Sequence, residues 1–316
     1  MVSADQRALS RPLATPSDGP DPYGNPEPQW LEINWAEHRQ TTEVGRAEVN
    51  FVEIGPAPGE PPHPLAVIFI HGLSGCWQNW LENIPDFAQR HRVLALDLPG
   101  FGDSPAPDWE VSVPNYGRLL LDFCDALGVE DCAIVGNSLG GFVATEAAIR
   151  QPGRFEKLIL VSAAGVSSAR LRRRPVAVVA RMMAAGTPVA LKAQTRALRR
   201  SRARTIAFSG LFDDPNSLRP ELISEFFEGG MRGESFVEAL TELAGYDFLH
   251  RLEEVEVPTL IVWGRQDRVV PPRDALEYEQ RLSNAELVVF DQCGHVPMAE
   301  RPTRFNRTLE RFLNQP

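Results

Sequence analysis

Val135-Gly136-Asn137-Ser138-Leu139-Gly140-Gly141 is the stretch on which the reading of this 316-residue chain turns. It follows the apolar run Cys132–Val135 and precedes Phe142–Arg150, whose Ala, Thr, Glu, Ile and Arg suit a helix. A small-x-Ser-x-Gly sequence at a strand-to-helix junction holds its serine on a sharp, strained turn. In so tight a turn a side chain two residues before or after the serine would collide with its neighbours, so Gly136 and Gly140 answer a steric demand. Gly141 would let the helix pack close to the strand. Alone, the pattern fits an ordinary glycine-rich loop equally well. A dinucleotide loop needs Gly-x-Gly-x-x-Gly. Gly136-Asn137-Ser138 lacks the second glycine, and Gly100-Phe101-Gly102 has Pro105 where the third belongs. What decides is whether the other parts occur in the right order.

Outward from the serine, continuous apolar runs recur at Leu65–Ile70, Val93–Leu98, Leu158–Val161, Leu260–Trp263 and Leu287–Phe290. Runs without alternation suit strands buried on both faces. Each leads into a loop rich in Gly, Pro, Ser or Asp, and helix-like segments such as Trp77–Arg90 and Tyr116–Leu127 lie between them. Such alternation predicts an α/β fold with a doubly wound, mostly parallel sheet, whose ligand crevice lies at the carboxyl ends of the strands. Upstream, Leu31, Ile33 and Trp35, then Val49, Phe51 and Val52, read as two antiparallel, half-exposed strands, bringing the expected total to eight.

The expected organisation is a disordered or loosely packed arm over residues 1–28, a core over 29–164 and 253–316, and a helical cap over 165–252 inserted after strand six. The arm is proline-rich and poor in apolar residues. The cap is oddly charged: Val166–Arg204 carries ten arginines and Lys192 with no acidic residue, so the rest of the chain carries −21 against a total of −10. Those arginines read as a solvated, salt-bridged face, with docking to an acidic partner or a membrane surface as the alternative. Apolar cap residues, among them Val178, Met182, Phe212, Phe226 and Phe227, are candidates to line the crevice or simply to glue the cap to the core.

The net charge of −10 argues against nucleic acid as a partner. Cys76, Cys124, Cys132 and Cys293 show no C-x-x-C spacing and are expected to be reduced and mostly buried. No apolar stretch approaches the roughly 20 residues that span a bilayer. No secretory leader is evident either, which makes integral membrane association unexpected and the cytoplasm the expected location.

A serine hydroxyl needs an adjacent base. Of six histidines only His295 sits just after the last apolar strand, in Gln292-Cys293-Gly294-His295-Val296-Pro297. Its orienting carboxylate is expected to be Asp267, in Gly264-Arg265-Gln266-Asp267 after the preceding strand. In Ile70-His71-Gly72-Leu73-Ser74-Gly75 a buried strand opens into a glycine-containing loop. The amides of Leu73 and Leu139 are then the candidate oxyanion donors. His71 is expected to brace that loop, and Ser74 is either an extra polar contact for substrate or an ordinary loop hydroxyl.

The order Ser138, Asp267, His295, preceded by the oxyanion loop, resembles that of the α/β-hydrolases. His71–Gly75, Asp97–Ser104, Gly136–Gly141, Trp263–Asp267 and Gly294–Pro297 with Glu300 resemble five signature blocks of that superfamily. Serine at the elbow sets the chain apart from the dehalogenase and epoxide hydrolase branches, which use aspartate. Asn137, Cys293-Gly294-His295 and the cap segments Phe212-Asp213-Asp214 and Glu221-Leu222-Ile223 are similar to the carbon-carbon hydrolases of aromatic ring degradation. The chain departs from them at Val296, where they carry Trp, and at Phe226-Phe227, where they carry an Arg-Trp pair. The resemblance with these departures implies a carboxylesterase acting on apolar, short to medium acyl or alcohol groups, with Ser74, Met182, Phe212, Phe226, Phe227 and Val296 as substrate contacts. Carbon-carbon hydrolysis, lactone hydrolysis and ligand binding without turnover are the alternatives. No metal or cofactor is required, the partner is a small-molecule ester, and a homodimer is admissible beside a monomer.

Overall fold

A computed structural model of the chain describes residues 21–57, 59, 63–185, 201–230 and 234–315, without the side chains of 179, 180, 182–185 and 227–230. Eight strands form one sheet: β1 Arg39–Val44, β2 Ala47–Ile54, β3 His63–Ile70, β4 His91–Leu96, β5 Cys132–Asn137, β6 Lys157–Val161, β7 Thr259–Gly264 and β8 Ala285–Phe290. Their order is β1-β2-β4-β3-β5-β6-β7-β8. The pairs β1/β2 and β2/β4 are antiparallel, and all others are parallel.

The parallel strands carry continuous apolar runs because helices cover both faces, and the side chains of those runs alternate between two clusters. Ile68, Ile70, Ile134, Leu160, Ile261 and Trp263 pack on one face; Val67, Phe69, Val135, Val161, Leu260 and Val262 pack on the other. Register then aligns the strand ends. Ile70 pairs with Gly136, Asn137 with Val161, and Gly264 with Phe290, so the loops after β3, β5, β7 and β8 emerge along one edge.

The first antiparallel strand differs from the alternation read at Leu31, Ile33 and Trp35. Gln29–Glu32 and Trp35–Glu37 are single 3-10 turns, and the strand begins at Arg39. The apolar spacing there reflects anchoring: Trp30 is buried with Nε1 donating to Glu82 at 3.0 Å, and Trp35 packs on Trp77 with ring centroids 5.1 Å apart.

Helices α1 Ile84–Ala88, α2 Val113–Ala126 and α3 Leu139–Arg150 precede β6. Between β6 and β7 lies a helical insertion with α4 Val166–Ala169, α5 Arg173–Ala185, α6 Ser201–Phe208, α7 Pro220–Gly230 and α8 Phe236–Leu243. Helices α9 Arg273–Arg281, α10 Pro297–Glu300 and α11 Pro302–Leu313 complete the chain. The insertion meets the carboxyl edge of the sheet: Leu211 accepts from the His295 amide at 2.8 Å, and Ser235 donates to Gly100 at 3.1 Å. No described helix is long and apolar enough to cross a membrane. All four cysteines are buried and none is in a disulfide.

Candidate active site

Ser138 follows β5 directly, with φ 53° and ψ −113°. A non-glycine residue at positive φ is held there only when its surroundings over-determine it. Here the Ser138 amide donates to Val161 at 2.9 Å, while its carbonyl accepts from Ala164 at 3.0 Å and Phe142 at 3.1 Å. The flanking glycines are sterically required. A Cβ at Gly136 would lie 2.4 Å from the Gly140 backbone, and one at Gly140 would lie 2.3 Å from the Ile70 carbonyl oxygen.

The loop after β3 lies against this turn. A Cβ at Gly72 would meet Asn137 Oδ1 at 3.0 Å and Ser138 Cβ at 3.1 Å. His71 is fully buried beneath the loop. Its Nε2 accepts from the Leu98 amide at 2.9 Å, so its proton sits on Nδ1, which donates to the Gly72 carbonyl at 2.7 Å. Burial holds this imidazole down to about 4. It is a neutral brace with both nitrogens occupied. Leu73 is the next residue but one, and Leu139 opens α3, where first-turn amides have no partner within the helix.

Asp267 and His295 come together from the loops after β7 and β8. His295 Nδ1 and Asp267 Oδ2 are 2.8 Å apart and both side chains are buried. Asp267 Oδ1 accepts from the amides of Val269 at 2.8 Å and Val270 at 2.9 Å. A carboxylate so held places the imidazole proton on Nδ1 and leaves Nε2 as the basic nitrogen. Asn137 joins this pair to the elbow, donating Nδ2 to the His295 carbonyl at 3.3 Å and to the Val161 carbonyl at 3.0 Å.

Glu300 has a larger part than its place in a sequence block conveyed. Its buried carboxylate accepts from the amides on either side of His295, Gly294 at 2.9 Å and Val296 at 3.3 Å. It also accepts from the Asp213 amide of the insertion at 2.8 Å and from the Tyr23 hydroxyl at 2.5 Å. Burial nevertheless raises its pKa. Tyr23 in turn accepts from the Asp214 amide at 2.7 Å, and the Arg301 guanidinium lies over its ring. Residues 21–28, read from composition as the end of a loose arm, thus tie the insertion to the histidine loop. Composition carries no signal for such a contact, because it depends on one tyrosine meeting a carboxylate 277 positions away.

Of the proposed substrate contacts, Phe212, Phe226 and Val296 are buried in one apolar cluster, with the two phenylalanine rings 5.5 Å apart. Ser74 lies in the loop after β3 at φ 56°. The side chains of Met182 and Phe227 fall outside the described residues. Val178, a candidate for the crevice lining, is exposed instead.

Comparison with known proteins follows the same lines. The profile of the alpha/beta hydrolase fold family matches residues 66–302. This chain belongs to the α/β-hydrolase fold family. It is 31% identical over 262 residues to a 2-hydroxy-6-oxo-6-phenylhexa-2,4-dienoate hydrolase of Comamonas testosteroni, covering 79% of this chain and 88% of the relative. It is equally similar, 31% over 261 residues, to a 2-hydroxy-6-oxononadienedioate/2-hydroxy-6-oxononatrienedioate hydrolase of Burkholderia vietnamiensis, with 79% and 87% covered. Among solved structures, a membrane phospholipase A described as a bacterial virulence factor superposes with TM-score 0.69 at 26% identity, covering 90% of each chain. A meta-cleavage product hydrolase from Pseudomonas fluorescens superposes with TM-score 0.66 at 26% identity, covering 88% of this chain and 98% of the other. The α/β-hydrolase assignment rests on the match and the topology together, and the family's catalytic diversity leaves the substrate to the site itself.

Proposed function

We propose that this α/β-hydrolase is a serine carboxylic-ester hydrolase for substrates with apolar, short to medium acyl or alcohol groups. The observation that carries the reading is the buried 2.8 Å bond between His295 and Asp267, built beside a serine held at positive φ. In this reading His295 Nε2 takes the proton of the Ser138 hydroxyl as its oxygen attacks the ester carbonyl. The amides of Leu73 and Leu139 hold the developing oxyanion, and Asp267 stabilises the imidazolium. His295 then protonates the departing alcohol, and water deprotonated by His295 releases the acid from the acyl-enzyme. The helical insertion acts as a cap. Phe212, Phe226 and Val296 support an apolar substrate group there, with Ser74 as a candidate polar contact. The phospholipase neighbour is consistent with ester chemistry.

A second reading, hydrolysis of a carbon-carbon bond in a ring-fission product, has its own support. The relatives at 31% identity are hydrolases of dienoates and dienedioates. In addition, the donors Trp77 Nε1 and Asn79 Nδ2, in the turn after the oxyanion loop, are buried without hydrogen-bond partners among the described residues. Buried donors of this kind favour a ligand with polar oxygens. A panel of p-nitrophenyl esters set against a vinylogous 1,5-diketone separates the two readings. Faster turnover of the esters, lost in His295→Ala, supports the first. Turnover of the diketone much faster than of any ester replaces it with the second.

A further inference from the structure

Among the described residues, five large apolar side chains stand exposed, and four of them belong to the insertion or border it: Leu171 at 50%, Val178 at 56%, Ile206 at 84% and Val269 at 52%. Val269 adjoins Arg268, whose guanidinium donates to the Ser209 carbonyl just past α6. Exposed apolar residues scattered singly need no explanation. Around α5 they are not scattered. Arg174, Val178 and Arg181 follow one another on the helix at spacings of four and three, which brings them to one side of it, Leu171 lies two residues before the helix begins, and all four are exposed. The helix is held to the protein elsewhere, where Arg173 pairs with Glu242 at 3.1 Å and α5 packs on α8.

Salt bridging does not account for the cations. Arg170 pairs with Glu277 and Arg173 with Glu242. Exposed Arg172, Arg174, Arg181 and Arg202 form no ion pair among the described residues. From Val166 to Arg204 the charge is +11 without one acidic residue, in a chain whose total is −10.

We propose that this part of the insertion, the α5 face of Arg174, Val178 and Arg181 together with exposed Leu171 just before the helix, docks on an anionic lipid surface. The alternation of arginine with valine and leucine singles out this partner. Arginine stems lie along apolar surface while their heads meet lipid phosphates, and the apolar side chains between them enter the headgroup boundary. A nucleic acid would use the arginines and leave Val178 and Leu171 without a role. The charge of the rest of the chain, −21, is repelled by the same surface, so approach is oriented with the insertion foremost.

The test is co-sedimentation of the full chain with vesicles of phosphatidylcholine alone and of phosphatidylcholine containing about one-third phosphatidylglycerol. The protein is expected on the anionic vesicles only, and to leave them as salt is raised. Arg174→Gln and Arg181→Gln should each lower partitioning about fivefold, from roughly 1 kcal/mol per basic residue at such a surface. Val178→Ser should lower it about tenfold, with thermal unfolding unchanged in all three. Equal partitioning into both vesicles, or none into either, would overturn the proposal. So would binding of a DNA duplex that displaces the vesicles and is unaffected by Val178→Ser, since the site would then be one for polyanions.

Discussion

A methyl group added at Gly140, on the elbow, would lie 2.3 Å from the Ile70 carbonyl oxygen, whereas one added at Gly210, in the insertion, meets nothing within 4 Å. The contrast holds for whole regions. Along the carboxyl edge of the sheet, backbone packs on backbone: Gly136 against Gly140, Gly140 against Ile70, and Gly264 with a Cβ position 1.9 Å from the Gly294 carbonyl oxygen. His71, Asp97, Asp267 and Glu300 are buried and hydrogen-bonded there. In the insertion, by contrast, arginines outnumber acids, and large apolar groups such as Val178 and Ile206 stand in solvent. A site that must hold atoms to a fraction of an ångström is built on the first kind of packing. A surface that selects substrates or partners tolerates the second.

The largest expected effect that would sharpen this contrast is at the paired carboxylate. Asp267→Asn should keep the fold, because Oδ1 can still accept from Val269 and Val270. It should lower kcat by about 10⁴-fold through loss of the correct imidazole tautomer. A drop of less than tenfold in ester turnover would remove Asp267 from the catalytic group and leave it an ordinary turn residue.

Two buried groups near the oxyanion loop make opposing contributions to stability over one pH range. His71 is held at about 4, below its ordinary 6.5, so its contribution is present above 6.5 and is lost as pH falls toward 4. Asp97 is pushed by burial to about 6 from 3.8, so its contribution is present below 3.8 and is lost as pH rises through 6. Relative to the parent chain, Asp97→Asn should therefore gain stability as pH rises from 4 to 6, and His71→Gln should lose it. Each change is about 2 kcal/mol between pH 4 and 6, at 1.36 kcal/mol per pKa unit. Denaturant midpoints at several pH values give the comparison, and curves parallel to the parent's would show that neither group is titrated by folding.

Smaller effects fall on the glycines. Gly140→Ala should destabilise by about 1–3 kcal/mol, because neither the Ile70 carbonyl nor the α3 backbone can yield freely. Gly210→Ala should change stability by less than about 0.5 kcal/mol. Equal losses in thermal unfolding would mean that the insertion is packed as tightly as the sheet edge.

The same contrast explains what the sequence made legible. Strands buried on both faces write continuous apolar runs, and a turn in which backbone meets backbone leaves glycine as its signature, so β3 to β8 and the elbow could be read directly. Ser138, Asp267 and His295 followed from their positions just past strand ends. His295 and Asp267 are hydrogen-bonded at 2.8 Å, and His71 bonds within the loop after β3 and to Leu98. Leu31, Ile33 and Trp35 misled because a segment anchored by tryptophan side chains can mimic strand alternation. Val178 misled because an amphipathic helix shows two faces without saying which is inside. Tyr23 was illegible because its importance lies wholly in Glu300 and Asp214, which are distant in sequence.

The most direct test of the proposed chemistry is to trap the acyl-enzyme. Rapid quenching after mixing with a p-nitrophenyl ester, followed by peptide mapping by mass spectrometry, should place a single acyl group on Ser138. Ser138→Ala should abolish both the adduct and the turnover. An acyl group mapped to any other residue, or turnover undiminished in Ser138→Ala, would contradict the assignment of Ser138 as the nucleophile.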